Sequence, residues 1–235
     1  MLLQISVDDF KLISASCELR YEEACLLFDR TGQICHEAKS NFTNCEVVSA
    51  LPNQTILKAK EGNLFVELKQ CRVTTTSPDS PLQAYADVCK KFFDSVTDNL
   101  QLKVFGRVGL RVVFRKRYDE LAEAKAALNS LKLLSIPKTE RFGAASEPRE
   151  MIFKWEGTEV GAMLRLSAEL GKIDVVLPPE LEMEQSEIHK STTGLLLDVD
   201  YYTVAPVEKS QWDAAAWIPR SLRTIKKQSD DVLGT

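Results

Sequence analysis

Four arginines of this chain share one parity in a single stretch: Arg107, Arg111, Arg115 and Arg117, between Val104 and Tyr118. A strand alternates its side chains, so these guanidinium groups would form one row, opposite an apolar row of Val108, Leu110, Val112 and Phe114. Arginine stays charged and presents a planar fork of donors, so the row calls for carboxylates, phosphates or water. The chain offers its own carboxylates from Gly194 to Thr203, where Asp198 and Asp200 share one face and Leu195, Leu197, Val199 and Tyr201 the other. Three uses of the row are expected alternatives. The first is a buried or half-buried salt-bridge lattice with Asp198, Asp200 and neighbouring glutamates, preferred because an unpaired buried charge is costly. The second is a face for an acidic protein partner. The third is contact with nucleic-acid phosphates, extended by Lys116, Arg220, Arg223, Lys226 and Lys227. Aromatics for base stacking are scarce nearby, which weighs against single-strand recognition.

Other chemistry finds less support. Asp198 and Asp200 could hold a divalent metal for hydrolysis, since both carboxylates face one way, with Glu67, Asp174 or Glu169 as a third ligand; spacing singles out none of these. His36 and His189 are the only histidines, and neither sits in a triad-like setting. Gly106-Arg107-Val108-Gly109 lacks the spacing of a phosphate loop. All six cysteines fall between Cys17 and Cys89 without a Cys-x-x-Cys pair, so reduced, apolar-behaving thiols are expected in place of zinc or disulfides. No catalytic residue, metal or cofactor is assigned.

The elements that must position these residues follow from the patterning. The chain has 235 residues, 44% hydrophobic and 27% charged, with a formal net charge of −4, a balance that does not advertise nucleic-acid or membrane binding. No apolar run suggests a membrane span, and no export signal is evident, so a cytoplasmic location is expected. Phe10–Leu19 reads as a strand followed by a short helix opening at Arg20-Tyr21-Glu22-Glu23 and ending at Gly32. The strand through Phe114 is likewise followed by a helix opening at Arg117-Tyr118-Asp119-Glu120, with Leu121, Ala124, Leu128 and Leu131 on one stripe. Each is then followed by a meander. The first runs through Thr55–Lys60, Leu64–Lys69 and Cys71–Thr76, the second through Met151–Trp155, Ala162–Glu169 and Lys172–Leu177 after a turn at Gly171. Each half closes with a helix: one starting at Ser80-Pro81, the other entered through Pro219 with Trp212 and Trp217 on a preceding turn.

The Arg-Tyr pairs lie 97 residues apart and the Glu-Gly turns, at Glu61-Gly62 and Glu156-Gly157, lie 95 apart. Two near-equal offsets in one context point to duplication. The expected architecture is therefore α+β, with a first half over 1–99 and a second over 100–235, each an antiparallel sheet packed with helices. The long polar stretches Ser135–Glu150 and Pro178–Thr193 are expected loops for partner contacts.

Arg107-Val108-Gly109-Leu110-Arg111 together with Leu196-Leu197-Asp198-Val199-Asp200 resembles a sporadically distributed bacterial family of unknown function. That family is marked by an Arg-Ile-Gly-Leu-Arg-Tyr-x-Asn strand and a later Leu-x-Ile-Asp-x-Asp-like strand. The similarity covers most of the chain, with Val112 standing for the family's tyrosine and Phe114 for its asparagine. The resemblance implies a cytoplasmic α+β protein without assigned activity, and the family's patchy distribution fits mobile or defence-associated genes. The expected function is non-catalytic protein–protein interaction, with nucleic-acid binding and metal-dependent hydrolysis as alternatives. A homodimer through exposed sheet edges is also expected to be accessible.

Overall fold

The alternation that separates arginines from Val108, Leu110, Val112 and Phe114 is realised in a strand near the middle of a nine-stranded sheet. The computed structural model describes residues 5–76, 82–131, 140–141, 144–145, 149–174 and 189–234. In chain order the elements are β1 (Lys11–Arg20), α1 (Leu27–Asn41), β2 (Glu46–Leu51), β3 (Gln54–Ala59), β4 (Gly62–Glu67), β5 (Gln70–Thr75), α2 (Leu82–Asn99), β6 (Val104–Phe105), β7 (Arg107–Tyr118) and α3 (Leu121–Ser130). There follow β8 (Glu140–Arg141), β9 (Ala144–Ala145), β10 (Glu150–Glu156), β11 (Val160–Asp174), β12 (His189–Thr203), β13 (Val207–Glu208) and α4 (Ala214–Leu233). The large sheet runs β10-β11-β12-β7-β1-β5-β4-β3-β2, and its neighbouring strands are antiparallel. The protein is therefore α+β. No helix among the described residues is long and apolar enough to cross a membrane.

One face of this sheet is built to be covered. Alternate residues Ala15, Cys17 and Leu19 of β1, Cys71 and Val73 of β5, Val108 to Phe114 of β7, and Leu195, Leu197 and Val199 of β12 are buried in one continuous core. The helices supply the other half of that core through Leu27, Ile34 and Ala38 of α1, Phe92, Phe93 and Val96 of α2, Leu128 of α3, and Trp217, Ile218 and Ile225 of α4. An aromatic chain ties α2 to the start of α4, with Phe93 and Phe105 both packed on Trp212 at ring separations of 5.7 and 5.5 Å. Burial of this apolar layer is the dominant stabilising term.

Several local signals are overridden by that burial. The helix expected to open at Arg20 and end at Gly32 starts instead at Leu27 and runs through Gly32 to Asn41. Tyr21 and Ala24 donate backbone bonds to the Lys69 and Leu68 carbonyls, which keeps this segment extended against the β4–β5 turn. Ile34, Cys35 and Ala38 continue the Leu27 stripe beyond Gly32, so the cost of a mid-helix glycine, about 1 kcal/mol, is outweighed. Likewise Pro219 lies inside α4, where it removes a bond to the Ala215 carbonyl; burying Trp217 and Ile218 in the turn before it keeps that turn helical. The turn expected at Gly171 is absent, because β11 continues to Asp174 and pairs Gly171 with Thr192 of β12. Of the expected loop Pro178–Thr193, residues 189–193 belong to β12, while 178–188 lie outside the described residues. The proposed helix start at Ser80-Pro81 and most of Ser135–Glu150 also lie outside them.

Two expected outcomes arise here. Glu37 of α1 accepts hydrogen bonds from Ser95 and Asn99 of α2 and from Gln33. These donors, Ser95 foremost, hold its carboxyl below the ordinary range. A depressed folded pKa contributes stability above the ordinary glutamate value, about 4.3, that is lost as pH falls through the folded value. Glu37→Gln should thus flatten the acid limb of a melting-temperature profile; an unchanged limb would show that the α1–α2 junction does not depend on this charge. Separately, Cys17, Cys71 and Cys89 are fully buried and Cys25 is exposed, and burial pushes the Cys17 and Cys71 thiols up. Maleimide should label Cys25 in the native protein and these three only on unfolding.

Candidate binding face

The opposite face of the sheet carries the charges, and register dictates which of them meet. Arg111 of β7 stands across from Ser16 of β1 and Asp200 of β12; Gly109 stands between Glu18 and Tyr202; Val113 faces Asp198. A long side chain reaches diagonal as well as direct neighbours across a sheet, and here both aspartates are met on the diagonal. Arg111 reaches Asp198 with a two-pronged bond, Nε to Oδ1 at 2.9 Å and Nη2 to Oδ2 at 2.6 Å. Arg107 folds back along its own strand, donating from Nη2 to Asp200 at 2.6 Å and approaching Glu18 at 3.5 Å. Glu18 is also held by Arg20 at 2.6 Å. The structure thus brings Arg107, Arg111, Asp198 and Asp200 together. Arg115 is half-buried further along the face, and Arg117 is exposed near its end.

The pairs differ in environment. Arg107 is 20% exposed and Asp200 23%, whereas Arg111 is 56% exposed over a 14% exposed Asp198. The Asp198 hydrogen bond raises the Arg111 pKa further. Two glycines shape the Arg107 site. A Cβ on Gly161 would lie 2.7 Å from ring carbons of Tyr202, so the ring can occupy its place only because that position is glycine. The Arg107 guanidinium then rests 4.4 Å from the Tyr202 centroid, with its carbon 3.6 Å from where a Gly109 Cβ would be. Cation–π contact and ion pairing converge on one guanidinium.

Beside this cluster the face dips into a groove of about 480 Å³ crossing β7, β1, β5 and β4. Ser16 and Thr74 share a 3.1 Å hydrogen bond on its floor, and Arg72 lies over Phe65 at 4.6 Å. Sequence reasoning missed Glu18, Arg72, Phe65 and Tyr202. Their polarity alternates with buried neighbours in β1, β5, β4 and β12, a signal that becomes specific only once strand order is known.

Other expected participants fall elsewhere. Glu67 is four strands from β12, roughly 19 Å at ordinary strand spacing, and is bonded to Gln54 and Gln70. Asp174 pairs with His189, nine residues along β12 from Asp198 and roughly 30 Å away. Glu169 accepts from Ser167 at 2.8 Å. Among the described residues, no group of three or more His, Cys, Asp or Glu is placed to hold a metal. The basic extension is also separated from the row. Lys116 shares the parity of Phe114 and bonds Asp9 at 3.0 Å, and α4, carrying Arg220, Arg223, Lys226 and Lys227, packs on the helix-covered side. The sheet's edges bear exposed apolar groups, Val48 and Leu51 on β2 and Ile152 and Trp155 on β10. No family model matches this sequence, and no curated protein matches it.

Proposed function

We propose that this protein is a non-catalytic interaction module that receives a protein partner on the polar face of its sheet. The observation carrying this reading is the groove at Ser16, bordered by charges that are mostly neutralised within the molecule. Asp198 and Asp200 are each engaged by a guanidinium, an arrangement suited to orienting a partner by alternating charge. A duplicated origin fits the strand order: β1 leads into β5-β4-β3-β2 on one side and β7 into β12-β11-β10 on the other. The resemblance to the sporadically distributed bacterial family, and with it a role beside mobile or defence genes, belongs to the same proposal. A photo-crosslinking residue at Ser16 should trap one dominant protein in cells, while one at Arg223 on α4 should not. Equal trapping at both positions, or trapping of nucleic acid at Ser16, would overturn the reading.

A further inference from the structure

Among the described residues, Arg72 is the groove's unbalanced charge. It stands directly opposite Glu18 on β1 and Phe65 on β4, so Glu18 is its natural counter-ion. That carboxylate is taken instead by Arg20 and Arg107. Among the described residues Arg72 has no carboxylate partner; its guanidinium stacks on Phe65, and its Nε–H is buried without a hydrogen bond. Four arginines line the groove against Glu18 and Asp200, and the other three are committed: Arg20 to Glu18, Arg107 to Glu18 and Asp200, Arg111 to Asp198. The hydroxyls of Ser16 and Thr74 lie on the same floor.

The geometry points to Arg72 as the anion subsite of this face, taking a single carboxylate from an aspartate or glutamate of the partner. This rests on the interaction reading above and names the chemistry of what docks. A guanidinium resting over an aromatic ring with its Nε–H buried has lost much of its rotamer freedom, so forming a forked bond to a carboxylate orders it little further. One hydroxyl of the Ser16–Thr74 pair is left free to donate to the same oxygens. One guanidinium balances a monoanion, whereas a phosphate dianion would face the Glu18 and Asp200 carboxylates with one uncommitted cation among the described residues. A polyanion track would need several such cations in a row.

The test is fluorescence anisotropy with a labelled peptide of alternating glutamate and glycine, at physiological ionic strength. Binding should weaken about tenfold in Arg72→Gln, weaken less in Arg72→Lys, and be unchanged in Arg223→Gln; melting curves establish that each variant folds. A glutamine version of the peptide should not bind. No binding of the glutamate peptide, or equal binding to wild type and Arg72→Gln, overturns the subsite. Tighter Arg72-dependent binding of a phosphoserine version overturns its assignment to carboxylate. Crosslinking from Ser16 separates this from the broader reading. A trapped partner unaffected by Arg72→Gln would leave the face standing and the subsite refuted. Arg72-dependent peptide binding without any trapped protein would do the reverse.

Discussion

Gly62→Ala should lower the unfolding free energy by roughly 2–4 kcal/mol, among the largest effects of any single-carbon change in this protein. Gly62 follows the two-residue Lys60-Glu61 connection between β3 and β4 and has φ +151°, a backbone conformation that side chains rarely adopt. An added Cβ would sit 2.5 Å from the Thr74 carbonyl oxygen. Relief is hard to find, because Thr74 is paired to Asn63 on one side and Ser16 on the other. Chemical denaturation should show a lower midpoint with an unchanged slope, as befits a change of stability without a change of compactness. A midpoint within experimental error of wild type would mean that the hairpin can shift as a unit. Because Thr74 floors the groove, a folded Gly62→Ala protein should also lose Ser16 crosslinking.

Asp200→Ala should destabilise by about 2 kcal/mol, below the roughly 3–5 kcal/mol for orphaning a fully buried charge, because both partners keep about a fifth of their exposure. For a chain of this size that is a drop in melting temperature of about 5 °C. Arg107 would retain the Tyr202 ring and the longer contact to Glu18, which limits the loss. Asp198→Asn should cost less, about 1 kcal/mol or below, since Arg111 is more than half exposed and asparagine still accepts a hydrogen bond. Differential scanning calorimetry, with and without divalent cations, separates this from a metal-binding role. A metal site would give variants of unchanged melting temperature and a wild type stabilised by the cation. Ion pairing gives the ordered losses and no cation effect.

What was legible in the sequence was the pairing of faces. Strands buried on one side must alternate, so Val108 to Phe114 and Leu195 to Val199 announced themselves, and the opposite parity followed for Arg107, Arg111, Asp198 and Asp200. Which carboxylate meets which arginine was not legible, because diagonal contacts depend on register between strands some 90 residues apart in the chain. Glu18 was missed for the same reason: β1 reaches β7 by a non-local choice that no local pattern encodes. Strand β2 escaped notice because its residues are exposed on both faces apart from a half-buried Ser49, leaving no alternation to read. Gly32, Gly171 and Pro219 looked like boundaries by local propensity, and in each case pairing or burial beyond the breaker outweighed it.

Gly109 carries a consequence for how this scaffold could diversify. Alanine would fit there at ordinary van der Waals distance from the Arg107 guanidinium, but a branched or longer side chain would push that cation off its resting place above the strand. Asp200 would then stand uncovered on a pre-formed floor, while Glu18 would keep its bond from Arg20. One codon therefore separates a neutralised Asp200 from one able to recruit a cation, which makes position 109 a natural starting point for engineering a new specificity into the molecule.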